Sequence, residues 1–461
     1  MGLAMEVVIL AAGSGTRMHS ALPKVLHRLG GRPMLLHVLE TAACLAPDSI
    51  HVVVGVGAEQ TVAVVEEACP HLGINWVTQE EQLGTGHAVQ QALLCLKQSA
   101  SDDKVLILFG DVPLITSATL EQVVDQCTPE QISLLTARVS LPQGFGRIIR
   151  NSDGDVSAII EERDATSEQK AINEINSGIM AASALRLRAW LDALDTNNDQ
   201  GEYYLTDIVA MANADGVGVR AKLVDEAEVT GVNNKSQLAS LERHYQMCIA
   251  NKLLEQGVTL MDPLRLDVRG EVDCGRDVEI DVNVVLEGRV SFGDGVSVGA
   301  NCVIKDSKIG SGTKILAGTQ IEGAYIGKNI SIGPMARIRS GTVLSDRCKI
   351  GNFVETKNAV IGEGSKANHL AYIGDAVLGD GCNIGAGVVF CNYDGANKHQ
   401  TKLGDNVFVG SNSVLIAPVT LEDNAFVAAG SSVSSDVPEG SLAVARVKQR
   451  IVPDWKRPKK K

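Results

Sequence analysis

Over roughly the first 230 residues, short aliphatic runs alternate with helical spacings. MEVVILAA (5–12), IHVVVG (50–55), KVLILFGD (104–111) and ISLLTARV (132–139) are apolar almost throughout. Strands read this way when helices cover both faces of their sheet. Between them, Met34, Leu35, Val38, Leu39 and Ala42 share one face of a helix opened by Pro33 and running to Ala46, and residues 84–99 keep the same rhythm. Such alternation predicts an open, mostly parallel sheet with helices on both sides. RIIR and VSAII, parted by NSDGD (147–160), predict a hairpin. Leu238, Leu241, Tyr245, Ile249 and Leu253 fall on one face over 236–256 and predict a helix joining two domains.

From about residue 270 the period changes to six. Ile326, Ile332, Ile338, Leu344 and Ile350 form one series, and Leu403, Val409, Leu415, Leu421, Val427 and Val433 another. Many of these aliphatics are followed by glycine. Six is neither a helical nor a strand period; it predicts the short faces of a parallel β-helix, one aliphatic per face pointing inward. The polar stretch CNYDGANKHQTK (391–402) interrupts the series and reads as a loop thrown out of the coil, either a binding loop or a tolerated insertion.

Composition narrows the function classes. Lys and Arg number 42 against 55 Asp and Glu, a net charge of −13, which argues against a nucleic-acid or anionic-membrane binder. The ten cysteines include no C-x-x-C pair and read as reduced thiols, neither a disulfide framework nor a zinc site. The opening residues lack a basic start and run into a Gly-rich turn, so they read as a first strand rather than a signal peptide. No stretch approaches the roughly 20 apolar residues of a membrane span. The expectation is a cytoplasmic chain.

LAAGSGTRM (10–18) follows the first strand but fits neither the P-loop nor the G-x-G-x-x-G pattern. Gly13 and Gly15 still allow backbone N–H groups close to a phosphate, and Arg17 and Lys24 add positive charge. Asp111 ends an aliphatic strand, where ligands of open α/β sheets bind, and can hold Mg²⁺ against a phosphate. Asn233 in GVNN offers a neutral oxygen to the same hard ion. Taken singly, each of these is as common in plain turns and caps.

Together the motifs are more specific. LAAGSGTRM, LPKVL (22–26), EQLGTGHA (81–88), FGDVPL (109–114), GFGRI (144–148), EINSGI (174–179) and GVNN (231–234) resemble, in order and spacing, the nucleotidyltransferase domain of sugar-1-phosphate uridylyltransferases. With hexapeptide repeats behind it, the chain from Met5 to Lys461 resembles the bacterial bifunctional N-acetylglucosamine-1-phosphate uridylyltransferases/glucosamine-1-phosphate acetyltransferases. The resemblance implies an α/β fold: a Rossmann-like nucleotidyltransferase domain over 1–235, a linker helix over 236–261, and a left-handed parallel β-helix over 262–461 with a basic tail. It implies acetyl transfer from acetyl-CoA to glucosamine-1-phosphate, then Mg²⁺-dependent uridylyl transfer from UTP, in a homotrimer that makes a cell-wall precursor.

By the same resemblance, Leu10, Ala11, Ala12, Gly13 and Lys24 surround the nucleotide, and Gln79, Gly84 and Thr85 read the uracil. Phe109, Gly146, Glu161 and Asn176 meet the sugar, Asp111 and Asn233 hold Mg²⁺, and Lys24 and Arg17 neutralise phosphate charge. Phe109 stands where a Tyr is expected, removing a hydroxyl. In the second half RIRSG, NFVETK, KANHLAY, NIGAG, CNYDGANK, FVGS and AAG match the acetyltransferase motifs. They make His369 the base, with Arg339, Lys357, Tyr372 and Asn383 on the acetyl acceptor. Ala386, Asn392, Tyr393, Ser411, Ala429 and Arg446 fall on acetyl-CoA. The oxyanion donor is expected among backbone N–H groups near 384–387, and Ser340 replaces a usual Pro. Two rival readings are a silent scaffold of the kind found in translation-factor regulatory subunits and a pyrophosphorylase whose β-helix only oligomerises. Lys24, Asp111, Asn233 and His369 weigh against the first, and His369, Tyr372 and the 391–402 loop against the second.

Overall fold

The computed structural model describes residues 4–13, 15–96, 103–458 and 460, which divide into two compact units, Met1–Tyr245 and Gln246–Lys461. The end of the helix expected over 84–99, the first three residues, and Lys459 and Lys461 of the basic tail lie outside the described residues. In the first unit, strand Met5–Leu10 lies inside the sheet, parallel to Ser49–Gly55 on one side and to Lys104–Phe109 on the other. Both helices expected early in the chain form, at Met34–Ala43 and Thr85–Cys95. Ile74–Gln79 and Gly218–Val224 are the outer strands, and Glu174–Ser183 runs antiparallel to both of its neighbours. The hairpin pairs Arg147–Arg150 with Val156–Ile160.

The order of these strands places the site. The chain passes from Met5–Leu10 outward through Ser49–Gly55 to Ile74–Gln79, then returns to lay Lys104–Phe109 on the opposite flank of the first strand. The carboxyl ends beside this reversal are where a ligand finds a crevice between divergent connections. Leu10 to Gly13, Gln79 and Phe109 to Asp111 lie there. Asp111 is not a helix cap: Thr116 takes that role for Ser117–Gln126, accepting from the Thr119 N–H at 3.2 Å.

In the second unit most strands are two or three residues long and every ladder between them is parallel. Glu279 pairs with Ser297, Ser297 with Lys314, Lys314 with Ser331 and Ser331 with Lys349, steps of seventeen or eighteen residues that define one three-faced coil each. The six-spaced aliphatics, from Ile326 to Ile350 and from Leu403 to Val433, are all buried. Asn383 pairs with Phe408, twenty-five residues on, because this coil carries the 391–402 loop.

The glycines after Ile350 and Ile384 are required by contact between coils more than by turning. Gly351 has an ordinary backbone angle, yet a Cβ there would stand 1.9 Å from the Asn368 carbonyl oxygen on the next coil. Gly385 would place one 2.6 Å from the Ser411 nitrogen. Gly351→Ala should therefore lower stability by about 2–3 kcal/mol, the scale of overpacking in a tight core, measurable by urea denaturation.

Candidate active site

At the reversal of the first unit, Leu10, Ala11, Ala12, Gly13, Lys24, Gln79, Gly84, Thr85, Phe109 and Asp111 line one cavity of about 310 Å³. Gln82 and Glu202 line it too; the motif EQLGTGHA contains Gln82, while no motif read from the sequence reaches Glu202. Gly84 opens the helix Thr85–Cys95 at φ 114, and a Cβ there would meet the Tyr203 carbonyl oxygen at 2.6 Å. Gln79 points its amide at the Gly84 carbonyl, 3.2 Å away, and at His87 Nδ1, 3.0 Å away. Thr85 Oγ1 accepts from the Leu205 N–H at 3.1 Å. These bonds hold two adjacent amide- and hydroxyl-bearing residues at the cavity wall, suited to a flat, hydrogen-bonding base.

Four charged or polar groups converge at the same mouth. Lys24 forms an ion pair with Asp111 and reaches Asn233 Oδ1 at 3.3 Å, while Arg17 donates to that same oxygen at 3.0 Å. The Val232 N–H donates to the Asp111 carbonyl at 3.0 Å, tying GVNN to this strand end. An ammonium resting on a carboxylate and an amide oxygen shows that these two oxygens already suit a cation. A small divalent ion prefers such hard donors and completes its shell from substrate phosphates. The residues present therefore fit a divalent metal.

Phe109 connects this cavity to a second cluster. Its ring packs on Gly178, where a Cβ would come within 2.4 Å of it, and the Gly178 N–H donates to Asn176 Oδ1 at 3.1 Å. The Asn176 N–H in turn donates to the Gly146 carbonyl at 2.9 Å. Glu161 stands over Gly146 and accepts from the Thr206 hydroxyl at 3.2 Å. Burial pushes the Glu161 carboxyl above the usual range; the Thr206 hydrogen bond opposes this and nearby Asp207 and Asp164 reinforce it. Gly146, Glu161 and Asn176 are thus neighbours.

In the β-helix the predicted acetyltransferase residues form two groups. Ala367 pairs with Ile384, Ile384 with Val409 and Val409 with Val427, so residues two places further on form a column. That column is His369, Ala386, Ser411 and Ala429. Coils stack about 4.8 Å apart, so three small side chains form a smooth track leading to the imidazole. Arg446 closes its far end, donating to the Ala429 carbonyl at 2.7 Å. Asn383 lies on this same face.

The second group begins beyond the corner at residues 370–371. Arg339 pairs with Glu355 at 2.8 Å, and Ile338 aligns with Thr356, which sets Arg339 above Lys357. Neighbouring Lys398, with Arg339, holds the Lys357 ammonium below the usual lysine range. Three crowded cations suit an anion, and Lys398 joined them without a signal of its own in the sequence. Asn392 donates to the Tyr372 hydroxyl at 3.4 Å and also to Asp375. Asp394 fixes the tip of the loop by accepting from the Ala396 and Asn397 N–H groups at 2.8 and 2.6 Å, with His399 against its other oxygen. The structure thus separates His369 and Asn383 from Arg339, Lys357, Tyr372 and Asn392 within one chain.

Family models agree with this division of chemistry. Residues 7–162 match a MobA-like NTP transferase domain, 268–349 a GMPPB C-terminal domain, and 400–435 a hexapeptide repeat of succinyl-transferase. Curated relatives match throughout. The bifunctional protein GlmU of Marinobacter nauticus is 54% identical over 99% of this chain and 99% of its own length, and that of Stutzerimonas stutzeri is 53% identical over the whole of both. The chain belongs to the bifunctional GlmU family. A further relative of that name, from Cellvibrio japonicus, is 53% identical over 99% of this chain.

As a member of this family the chain is an enzyme with two activities. It transfers an acetyl group from acetyl-CoA to glucosamine-1-phosphate, and a uridylyl group from UTP to N-acetylglucosamine-1-phosphate with release of pyrophosphate. The second reaction requires a divalent metal. No helix among the described residues is long and apolar enough to cross a membrane.

Proposed function

We propose that residues 1–235 carry uridylyl transfer and 262–461 acetyl transfer, with 236–261 as the connection, in a cytoplasmic enzyme. The observation that carries the first assignment is the convergence of Arg17, Lys24, Asp111 and Asn233 where the sheet reverses. The nucleotide lies along Leu10 to Gly13, its base against Gln79, Gly84 and Thr85. The sugar lies over Phe109 toward Gly146, Glu161 and Asn176. A phosphate oxygen of the sugar attacks the α-phosphorus of UTP in line as the bond to pyrophosphate breaks. Lys24 and Arg17 offset the charge on the phosphates, and the cavity walls hold the two reactants aligned. Mg²⁺ is the metal the donors suit best, and on Asp111 and Asn233 it would supply further screening of phosphate charge.

For acetyl transfer, His369 takes a proton from the attacking amine while the thioester arm lies along Ala386, Ser411 and Ala429 toward Arg446. Asn392 and Tyr393 sit beside that arm, and Arg339 and Lys357 clamp the sugar phosphate together with Tyr372 and Asn383. Because one chain separates these two groups across a corner, we propose a homotrimer in which neighbouring copies complete each site. Met335, Phe353 and Leu370 support this reading. They occupy the same corner of three successive coils at φ 54, 56 and 48, and are 58%, 54% and 61% exposed. Bulky residues resist that left-handed conformation, and three exposed apolar side chains in a row beside His369 suit a contact between copies.

The test is to assay the half-reactions separately. With EDTA present, pyrophosphate release should fall to background and return on adding Mg²⁺, while acetyl transfer is unchanged. Sedimentation should give the mass of three chains; a monomer active in acetyl transfer would refute the shared site.

A further inference from the structure

The column that ends in His369 extends one coil further. Ile350 pairs with Ala367, and two places on, Asn352 pairs with His369 across neighbouring coils. Asn352 Oδ1 lies 2.8 Å from His369 Nδ1. The Asn352 backbone carbonyl also accepts from the Leu370 N–H at 3.0 Å, so the two coils are clamped on either side of the imidazole. Nothing in the hexapeptide pattern requires an asparagine here, since the inward position two residues before it supplies the core.

The chemistry of the pair is directional. An amide oxygen accepts and cannot donate, so the ring nitrogen facing it carries the proton. A neutral imidazole has one N–H, which leaves Nε2 with its lone pair exposed. That is the nitrogen a base must present. As the amine nitrogen bonds to the thioester carbonyl carbon, Nε2 takes one proton from it. When the C–S bond breaks, the same proton passes to the departing thiolate. Throughout, Nδ1–H stays on the Asn352 oxygen, and that bond strengthens while the ring is cationic.

We propose that Asn352 is a positioning residue for acetyl transfer, holding His369 as the Nδ1–H tautomer with Nε2 turned to the attacking amine. This rests on the reading of His369 as the base. Stacked asparagines at coil corners also occur where no chemistry is assigned, as in the 3.0 Å bond from Asn283 to Asn301. A purely structural Asn352 would resemble that pair, so the test must read the ring rather than the fold.

The experiment labels histidine with ¹⁵N and assigns the His369 resonances by their loss in His369→Gln. In the wild-type enzyme the neutral ring should show protonated Nδ1 and unprotonated Nε2. Asn352→Ala should lose that signature and lower kcat for acetyl transfer by roughly 10- to 100-fold, with both KM values within twofold. Asn352→Asp, whose carboxylate also only accepts, should keep the tautomer and recover kcat to within about tenfold of wild type. Uridylyl transfer and Tm, measured on the same samples, should not change. Protonation at Nε2 in the wild type, or an Asn352→Ala enzyme with full kcat, overturns the proposal while leaving the base assignment standing. An active His369→Ala enzyme overturns the base assignment itself.

Discussion

Asp111→Asn should abolish pyrophosphate release by on the order of 10³-fold while acetyl transfer proceeds at the wild-type rate. The substitution keeps the shape of the side chain and removes only its charge. Two effects then coincide. The site loses its one anionic donor for the metal among the residues gathered there, leaving the neutral Asn233 oxygen. Lys24 loses its partner, and because both side chains are largely enclosed, at 15% and 13% exposure, that partner is not readily replaced by water. Removing one member of an enclosed pair also costs stability, up to several kcal/mol when burial is complete. The pair is not completely buried, so a fall in Tm smaller than that limit is expected. Continuous pyrophosphate detection with saturating UTP and sugar-1-phosphate reads the first effect and a thermal scan the second. Retention of more than a tenth of the activity would remove Asp111 from the metal site.

The complementary change, His369→Ala, should lower acetyl transfer by 10²- to 10⁴-fold, the usual contribution of a positioned general base, and leave uridylyl transfer intact. His369 is exposed and its ring contributes nothing to the buried aliphatic stack, so Tm should stay within a degree or two. Thiol release from acetyl-CoA measures the loss. If the two variants are mixed and assayed for the overall conversion of glucosamine-1-phosphate, activity should return, because each supplies the reaction the other lacks. Failure of the mixture would mean that intermediates do not leave the enzyme between steps.

Much of this was legible in the sequence, for definite reasons. The six-residue period follows from coil geometry, so every aliphatic in the two long series could be placed in the core before any coordinates. Asp111 and Lys24 were visible because strand ends and Gly-rich turns have sequence signatures. What escaped notice depends on pairing through space. Glu174–Ser183 reads as a motif followed by small apolar residues, and nothing in a continuous apolar run states that the strand runs against its neighbours. Lys398 joins Arg339 and Lys357 only because the loop folds back, its tip fixed by Asp394. Asn352 meets His369 from seventeen residues away, a distance set by one circuit of the coil. The separation of the acetyl-site residues by a corner was equally invisible, since all of them look equivalent along the chain.

The ladder that contains His369 has eleven rungs among the described residues, and the rung Lys366–His369 is the seventh. Each coil touches only the one before and the one after it, so the unit behaves as a linear chain of coupled segments. Such a stack frays from its ends. Thermal opening at the last rung, Leu442–Ala443, exposes the terminal residues long before it reaches the imidazole, with three rungs still between. Amide exchange should therefore slow from both ends toward the middle, with Arg446 in the fast-exchanging end and His369 in the slow centre. On the proposed assignment, the base lies deep in the stack, and the end given to the coenzyme can breathe to admit and release its ligand while the imidazole stays still.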